Sequence, residues 1–329
     1  MNKNIVLISP HKEWFYKNWI PSLSWDKWKN KAANIWAKPD ISIVISEHQK
    51  LVEVIINSWD VNVIELHFPD EDLEILNWND DKLSDTDSWK RKYFKDNIVF
   101  SRDWFISNRK DKVILSRFSN PSRWFEPKII NELISWILDN NDIVRDVINA
   151  PELEWFFLEW WDFRFIEKDN ILFAWFNSDW KTSRNSKSWI QFVKDEFQVK
   201  DNNFLIIESK GYHLDTVFSV LTNDKWKLIW WIICSWLVDN FDELKYFFDN
   251  KWLKLLDIPN EYWVRDSDIS PNWNWVINTL NINEYLISSW SFSDEIELEL
   301  NELWIKRFIT STSQFWEAWG WPHCLTNEL

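Results

Sequence analysis

The residues able to do covalent chemistry stand at the ends of apolar, strand-like segments. Cys324 lies in "WPHCLT", directly after His323 and shortly before Thr326. A thiol acts as a nucleophile only as the thiolate and only where substrate can reach it. The residues alone leave Cys324 open between a nucleophile and a small buried hydrophobe, whereas Cys234, inside the apolar run "IWWIICSW", reads as the latter. His213 opens "HLDTVFS", with Asp215 two residues on. A single histidine is more often structural, but a carboxylate on the same face can orient and tune an imidazole for general acid–base work. Asp103, in "FSRDWF", occupies an apolar context where an unpaired carboxylate is costly. Glu159 and Asp162 bracket "EWWD". One cysteine, one histidine and several strand-end carboxylates point to a planar, cationic substrate attacked by sulfur.

Other chemistries lack support. No CxxC, HExxH or P-loop motif occurs in the 329 residues, so neither a metal nor an organic cofactor is expected. A net charge of −15 and a pI near 4.9 exclude a basic nucleic-acid footprint. No apolar stretch approaches the roughly 20 residues that span a bilayer, and "MNKNIVLISP" reads as a short strand rather than a signal peptide. Two cysteines form no disulfide framework and fit a reducing, cytoplasmic setting. No linker or low-complexity segment divides residues 1–329, which read as a single domain; a homo-oligomer is compatible with the sequence.

The elements that must position these groups alternate between strand and helix patterns. Strands are expected at 4–9, 61–66, 203–209, 213–221, 227–235, 253–258, 276–282, 284–289 and 305–311. Hairpins are expected from 97–107 with 111–117, and from "LEWWDFRFI" with "NILFAWF". Helices are expected at 46–58, 126–140, 188–197, 240–248 and 293–303, with Pro127 near the start of the second. The recurring unit is a two-stranded hairpin, a helix and another strand, present four or five times. Such units arranged in a circle give an α/β propeller.

Composition adds an anomaly. The chain has 30 Trp and 2 Gly, against roughly 7% glycine in ordinary usage. The tryptophans occupy glycine positions. Trp59, Trp252 and Trp304 end helical patterns at the C′ position, where a left-handed backbone favours a residue without Cβ. Trp180, Trp226, Trp273 and Trp275 sit beside Asn, Asp and Lys in turn contexts. A gene in which UGA encodes glycine, translated as though UGA encoded tryptophan, produces this pattern. Trp104, Trp124 and Trp319 are compatible with real tryptophan.

Read with glycines, "EWWD" becomes an EGGD-like motif and "WGWPHCLT" a GGGPHCLT-like motif, while "FSRDWF" and "HLDTVFS" need fewer changes or none. In this order the four resemble the motifs of the guanidine-modifying pentein superfamily: arginine deiminases, dimethylarginine dimethylaminohydrolases and amidinotransferases. The resemblance runs from about residue 97 to the C-terminus. It implies a five-bladed α/β propeller forming one catalytic domain. It also implies Cys324 as nucleophile, His213 as general acid and base, and Asp103 and Glu159 as a guanidinium clamp. Asp215 and Asp162 would bind or orient the substrate with His323 beside them. Arg123 and Arg184 resemble carboxylate-binding arginines, although each could equally be an exposed salt bridge. The implied reaction passes through an S-amidino intermediate on Cys324 to a ureido product such as citrulline. His323 is a departure from arginine deiminases, which carry Arg before the cysteine; His there resembles amidinotransferases, which pass the amidino group to an amine instead.

Overall fold

β1 (Lys3–Ile8), α1 (Ile41–Asn57) and β2 (Val61–Leu66) open the chain in this computed structural model. β3 (Phe105–Ser107), β4 (Lys112–Leu115), α2 (Glu126–Asn140) and β5 (Asp146–Ile148) follow. Next come β6 (Phe163–Ile166), β7 (Ile171–Asn177), α3 (Lys187–Glu196) and β8 (Phe204–Ser209). Then come β9 (Phe218–Thr222), β10 (Leu228–Ile233), α4 (Phe241–Asn250) and β11 (Lys254–Asp257). The last elements are β12 (Leu280–Ile282), β13 (Tyr285–Ser288), α5 (Asp294–Glu302), β14 (Lys306–Ile309) and β15 (Thr326–Glu328). The described residues are 3–10, 40–58, 61–67, 100–118, 126–150, 158–159, 162–177, 186–209, 213–223, 225, 227–258, 277–312 and 322–329.

The strands form five three-stranded sheets. In each, the central strand pairs antiparallel with a first strand and parallel with a third that follows the helix. Four sheets are continuous in sequence. The fifth joins the two ends of the chain: β15 runs antiparallel to β1, with Val6 opposite Asn327, and β1 runs parallel to β2. Between sheets, β9 packs on β12 and β15 on β3. The expected hairpin–helix–strand unit is therefore present in four sheets, and the fifth repeats its strand arrangement from the two ends of the chain, within a mixed α/β fold.

The local sequence explains the elements. Central strands read as near-continuous apolar runs because both faces are covered; "ILFAWFN" in β7 is buried at all positions but Phe176. Helix α1 buries Val44, Leu51, Val52 and Ile55 on one stripe. It begins at residue 41, five residues before the expected start, because the Asp40 carboxylate accepts from the Ser42 and Ile43 amides at 2.9 and 3.4 Å. Four helices end alike. The residue two past α2, α3, α4 and α5 has positive φ: Asp142 (53°), Gln198 (53°), Trp252 (57°) and Trp304 (62°). Each is followed by an amide that reaches back to the last helical turn, as in Ile305 N–H to the Leu300 carbonyl at 3.0 Å. Trp252 and Trp304 thus occupy the left-handed C′ sites read from the sequence, with their indoles 94% and 85% exposed.

Other tryptophans are core residues. Trp231 stacks on Phe248 with ring centroids 4.1 Å apart, and Trp175 and Trp189 are fully buried. Full burial of an aromatic ring contributes about 1.5–3 kcal/mol.

Two expected strands start late. Ser101–Asp103 and Leu214–Thr216 are single 3-10 turns rather than strand, closed by the Asp103 N–H to Phe100 carbonyl bond (3.1 Å) and by Thr216, whose hydroxyl donates to the His213 carbonyl (2.7 Å). Asp103, His213 and Asp215 therefore precede their strands instead of lying in them. β5 and β15 lie outside the expected strands: each has three residues, too short for a periodic pattern. Among the described residues no helix is long and apolar enough to cross a membrane.

Candidate active site

The turns that precede the first strands of the five sheets carry the polar residues. Asp103 stands two residues before β3, Asp162 one before β6, Asp215 three before β9, Asn278 two before β12 and Cys324 two before β15. Each sheet thus contributes one functional group from the same position in its unit. All five are buried, none more than 4% exposed.

Cys324 is held by tertiary contacts. Its carbonyl accepts from the Arg102 amide at 3.2 Å, and the Thr326 hydroxyl closes the turn on the Pro322 carbonyl at 3.0 Å. Its thiol lies 3.7 Å from Asp215 Oδ2 and accepts from Asn278 Nδ2 at 3.4 Å. The same Asn278 amide donates to Asp215 Oδ2 at 2.8 Å, and His323 Nδ1 lies 3.1 Å from that oxygen. One carboxylate oxygen therefore organises the thiol, an amide and an imidazole.

His213 faces a different acid. Its Nδ1 lies 2.8 Å from Asp162 Oδ1, which also accepts from the Leu214 amide at 3.3 Å. The expectation that Asp215 orients His213 is corrected. Because both sit in a 3-10 turn, their side chains diverge: Asp162 holds His213, and Asp215 turns to Cys324. The Asp162 carboxylate can only accept, so it holds the proton on His213 Nδ1 and fixes the ring's orientation. The Trp175 ring centroid lies 5.8 Å from that of the imidazole.

Asp103 and Glu159 are buried within the same set of turns. The Ser116 hydroxyl donates to the Asp103 carbonyl, and the Asp162 amide to the Glu159 carbonyl at 3.3 Å. Arg123, Arg184, Trp160, Trp161, Trp319 and Trp321 lie outside the described residues.

Burial and two guanidinium groups set the charges. Desolvation pushes Asp215 up to about 6, against the opposing pull of Arg164, Arg102 and hydrogen bonds from Cys324 and Asn278. Desolvation, with Arg102 and Arg164 nearby, holds His323 well below the usual imidazole range. At neutral pH Asp215 is mostly anionic and His323 neutral. Such a site brings a thiol, an oriented imidazole and buried carboxylates together, with the Arg102 guanidinium acting on the thiol through space.

Sequence reading missed Asn278, Arg102 and Arg164. Asn278 had one usable signal: it stands two residues before its strand, as Asp103 and Cys324 do before theirs. The arginines gave none, because an arginine in an alternating strand reads as surface.

No family model and no curated protein sequence matches the chain. Solved structures do. The N-terminal domain of ArgZ, an arginine dihydrolase from the ornithine–ammonia cycle in Cyanobacteria, bound to substrate, matches at a TM-score of 0.67 and 15% identity, over 99% of this chain and 98% of that one. AgrE in a ternary complex with ornithine and NAD+ matches at 0.66 and 16%, over 99% of this chain but 39% of the AgrE chain. A dimethylarginine dimethylaminohydrolase adduct with 4-chloro-2-hydroxymethylpyridine matches at 0.63 and 15%, over 100% of both chains. The five-unit α/β arrangement of this chain is thus the fold that ArgZ, AgrE and dimethylarginine dimethylaminohydrolase share.

Proposed function

We propose that the chain hydrolyses the guanidino group of arginine or a substituted arginine to a ureido product. The observation that carries this reading is the buried set Cys324, Asp215 and Asn278 beside the His213–Asp162 pair. Its support is a fold shared with an arginine dihydrolase captured with a covalently bound reaction intermediate. In this reading residues 1–329 are one catalytic domain. The five sheets are the blades of a five-bladed α/β propeller, with β3, β6, β9, β12 and β15 nearest its axis; the contacts between β9 and β12 and between β15 and β3 support that arrangement.

Asp103, Glu159 and Asp215 hold the guanidinium planar and charged, and Arg123 and Arg184 grip a substrate carboxylate through paired hydrogen bonds. The thiolate of Cys324 attacks the central guanidinium carbon. His213 protonates the departing amine, so the C–N bond breaks and an S-amidino intermediate remains. His213 then takes a proton from water, whose oxygen adds to the same carbon. The C–S bond breaks, the thiolate returns, and the ureido product leaves. From arginine the products are citrulline and ammonia.

Amidinotransfer is the second reading, and His323 favours it. Both predict that the chain with tryptophan at 160, 161, 319 and 321 is inactive, because the motifs it resembles carry glycine there and a bulky side chain replaces a residue without Cβ. The variant with Trp160→Gly, Trp161→Gly, Trp319→Gly and Trp321→Gly, incubated with arginine alone, is expected to release citrulline and ammonia. Product only when glycine or ornithine is added as acceptor selects the transferase. Full activity in the same variant carrying Cys324→Ala removes the proposed nucleophile.

A further inference from the structure

Three arginines enter the interior on the first strands of two neighbouring sheets. Arg102 precedes β3, Arg109 follows it, and Arg164 lies within β6. Together with Phe105, Phe163 and Glu328 they line a small cleft. Arg102 stands in the turn that carries Asp103, while Arg109 lies beyond the far end of β3. Arg102 and Arg164 are each 7% exposed, and the Arg109 side chain is 9% exposed.

Contacts use their donors only in part: Arg102 Nε donates to the His323 carbonyl at 3.3 Å and Nη1 to Asn327 Oδ1 at 3.5 Å. Arg109 Nη2 rests against Glu328 Oε2. Arg102 Nη2 approaches Glu328 Oε1 only to 4.0 Å and is a buried donor without a hydrogen-bond partner. Arg164 has one long bond, Nη2 to the Thr279 carbonyl at 3.5 Å. Through space, Asp215, Cys324 and Asp103 act on Arg102, Glu167 on Arg109 and Asp215 on Arg164. Desolvation pushes Arg102 down to about 10 and Arg109 to about 9, so both remain cationic at neutral pH. Buried guanidinium donors left without a hydrogen bond are expensive, and their forked geometry matches oxyanions.

We propose that the cleft formed by Arg102, Arg109 and Arg164 binds a small tetrahedral oxyanion of the phosphate or sulfate type. The anion takes up donors that the cleft leaves without a hydrogen bond, Arg102 Nη2 among them. The cleft adjoins the proposed guanidino site, because Arg102 stands in the turn that carries Asp103, and it takes a ligand of the opposite charge.

The test titrates inorganic phosphate, and separately sulfate, into the full chain at constant ionic strength with chloride as the balancing anion. Calorimetry and thermal unfolding are read together, because a ligand of the folded state alone raises the melting temperature in proportion to its occupancy. Saturable binding with a matching rise is expected. Arg164→Gln is expected to weaken it by about tenfold or more, the effect of losing one charge-assisted hydrogen bond. Glu328→Gln is expected to tighten it, because the competing carboxylate is gone while all three guanidinium groups stay. The proposal is overturned if neither anion binds saturably, if Arg164→Gln binds as the parent does, or if Glu328→Gln binds no tighter. Should Arg164→Gln not fold, the Glu328→Gln comparison decides in the same two directions.

Discussion

At the level of single residues, the strongest coupling is between Asn278 and the pair it bridges. Its one amide nitrogen reaches both the Cys324 sulfur and Asp215 Oδ2. Removing it leaves a buried carboxylate short of a donor, a loss of about 1.5–3 kcal/mol for a hydrogen bond to a charged group. Asn278→Ala is expected to lower kcat/KM on the guanidino substrate by about 10- to 100-fold. It should also move the acidic limb of the pH profile. Asp215 sits at about 6 and Asn278 is one of the groups holding it down, so activity that needs the carboxylate falls as pH drops below about 6, and the variant loses it at higher pH. A purely structural asparagine would lower activity without shifting that limb. The same shift has a stability sign. A carboxyl raised in the folded state favours folding most in acid and loses that contribution as pH rises from about 4 to about 6. His323, held below its ordinary value, acts in the opposite direction: its contribution is present above about 6.5 and lost as pH falls. Asp215→Asn removes only the first, so urea midpoints of this variant are expected to fall more steeply than the parent's between pH 6.5 and 5.

At the level of elements, the helix C-termini carry the clearest record of what the sequence should contain. Gln198, Trp252 and Trp304 fill the same left-handed site in three units, and two of the three are exposed indoles. A left-handed residue with a Cβ costs roughly 1–2 kcal/mol, and glycine returns part of that as unfolded-state entropy, roughly 0.5–1 kcal/mol. Trp252→Gly and Trp304→Gly are each expected to stabilise the fold by several tenths to about 1 kcal/mol, read from urea midpoints at unchanged slope. Destabilisation by either change would speak against a glycine site. The codon at each tryptophan is the independent check: UGA throughout supports glycine in the organism, UGG does not.

At the level of the whole molecule, the chain is closed by its own ends. Asn327 is the polar hinge of that closure. Its Nδ2 donates to the Ser101 and Phe105 carbonyls at 2.9 Å each, and its Oδ1 accepts from the Glu328 amide. One side chain thereby ties β15 to the turn carrying Asp103 and, through β1, to the N-terminal sheet. Asn327→Ala strands buried carbonyls and is expected to cost about 2–4 kcal/mol, at roughly 1–3 kcal/mol per unsatisfied group. Unfolding should stay a single transition, because every sheet packs on a neighbour. A second, earlier transition limited to residues 1–66 would show that the closure is not cooperative.

Much of this was legible in one dimension. Apolar runs and helical stripes are local properties, so the repeated hairpin–helix–strand unit and the boundaries of α2, α3 and α5 could be read within a residue or two. So could the chemical candidates, because Cys324, His213 and the carboxylates stand where apolar segments begin. Left-handed sites at residues 252 and 304 were equally local, since the end of a helical pattern forces them. Partnership was not local. Asp162 and His213 are 2.8 Å apart in space but separated by β6, β7, α3 and β8, and only the stacking of one unit on the next brings them together. The 3-10 turns at 101–103 and 214–216 decided where Asp103 and Asp215 stand, and they are held by tertiary contacts rather than by a period in the sequence. The buried arginines were invisible for the same reason, and Asn278 gave only its place before a strand: a polar residue declares its type, and only the assembled sheets decide whether it faces water, a thiol or a carboxylate.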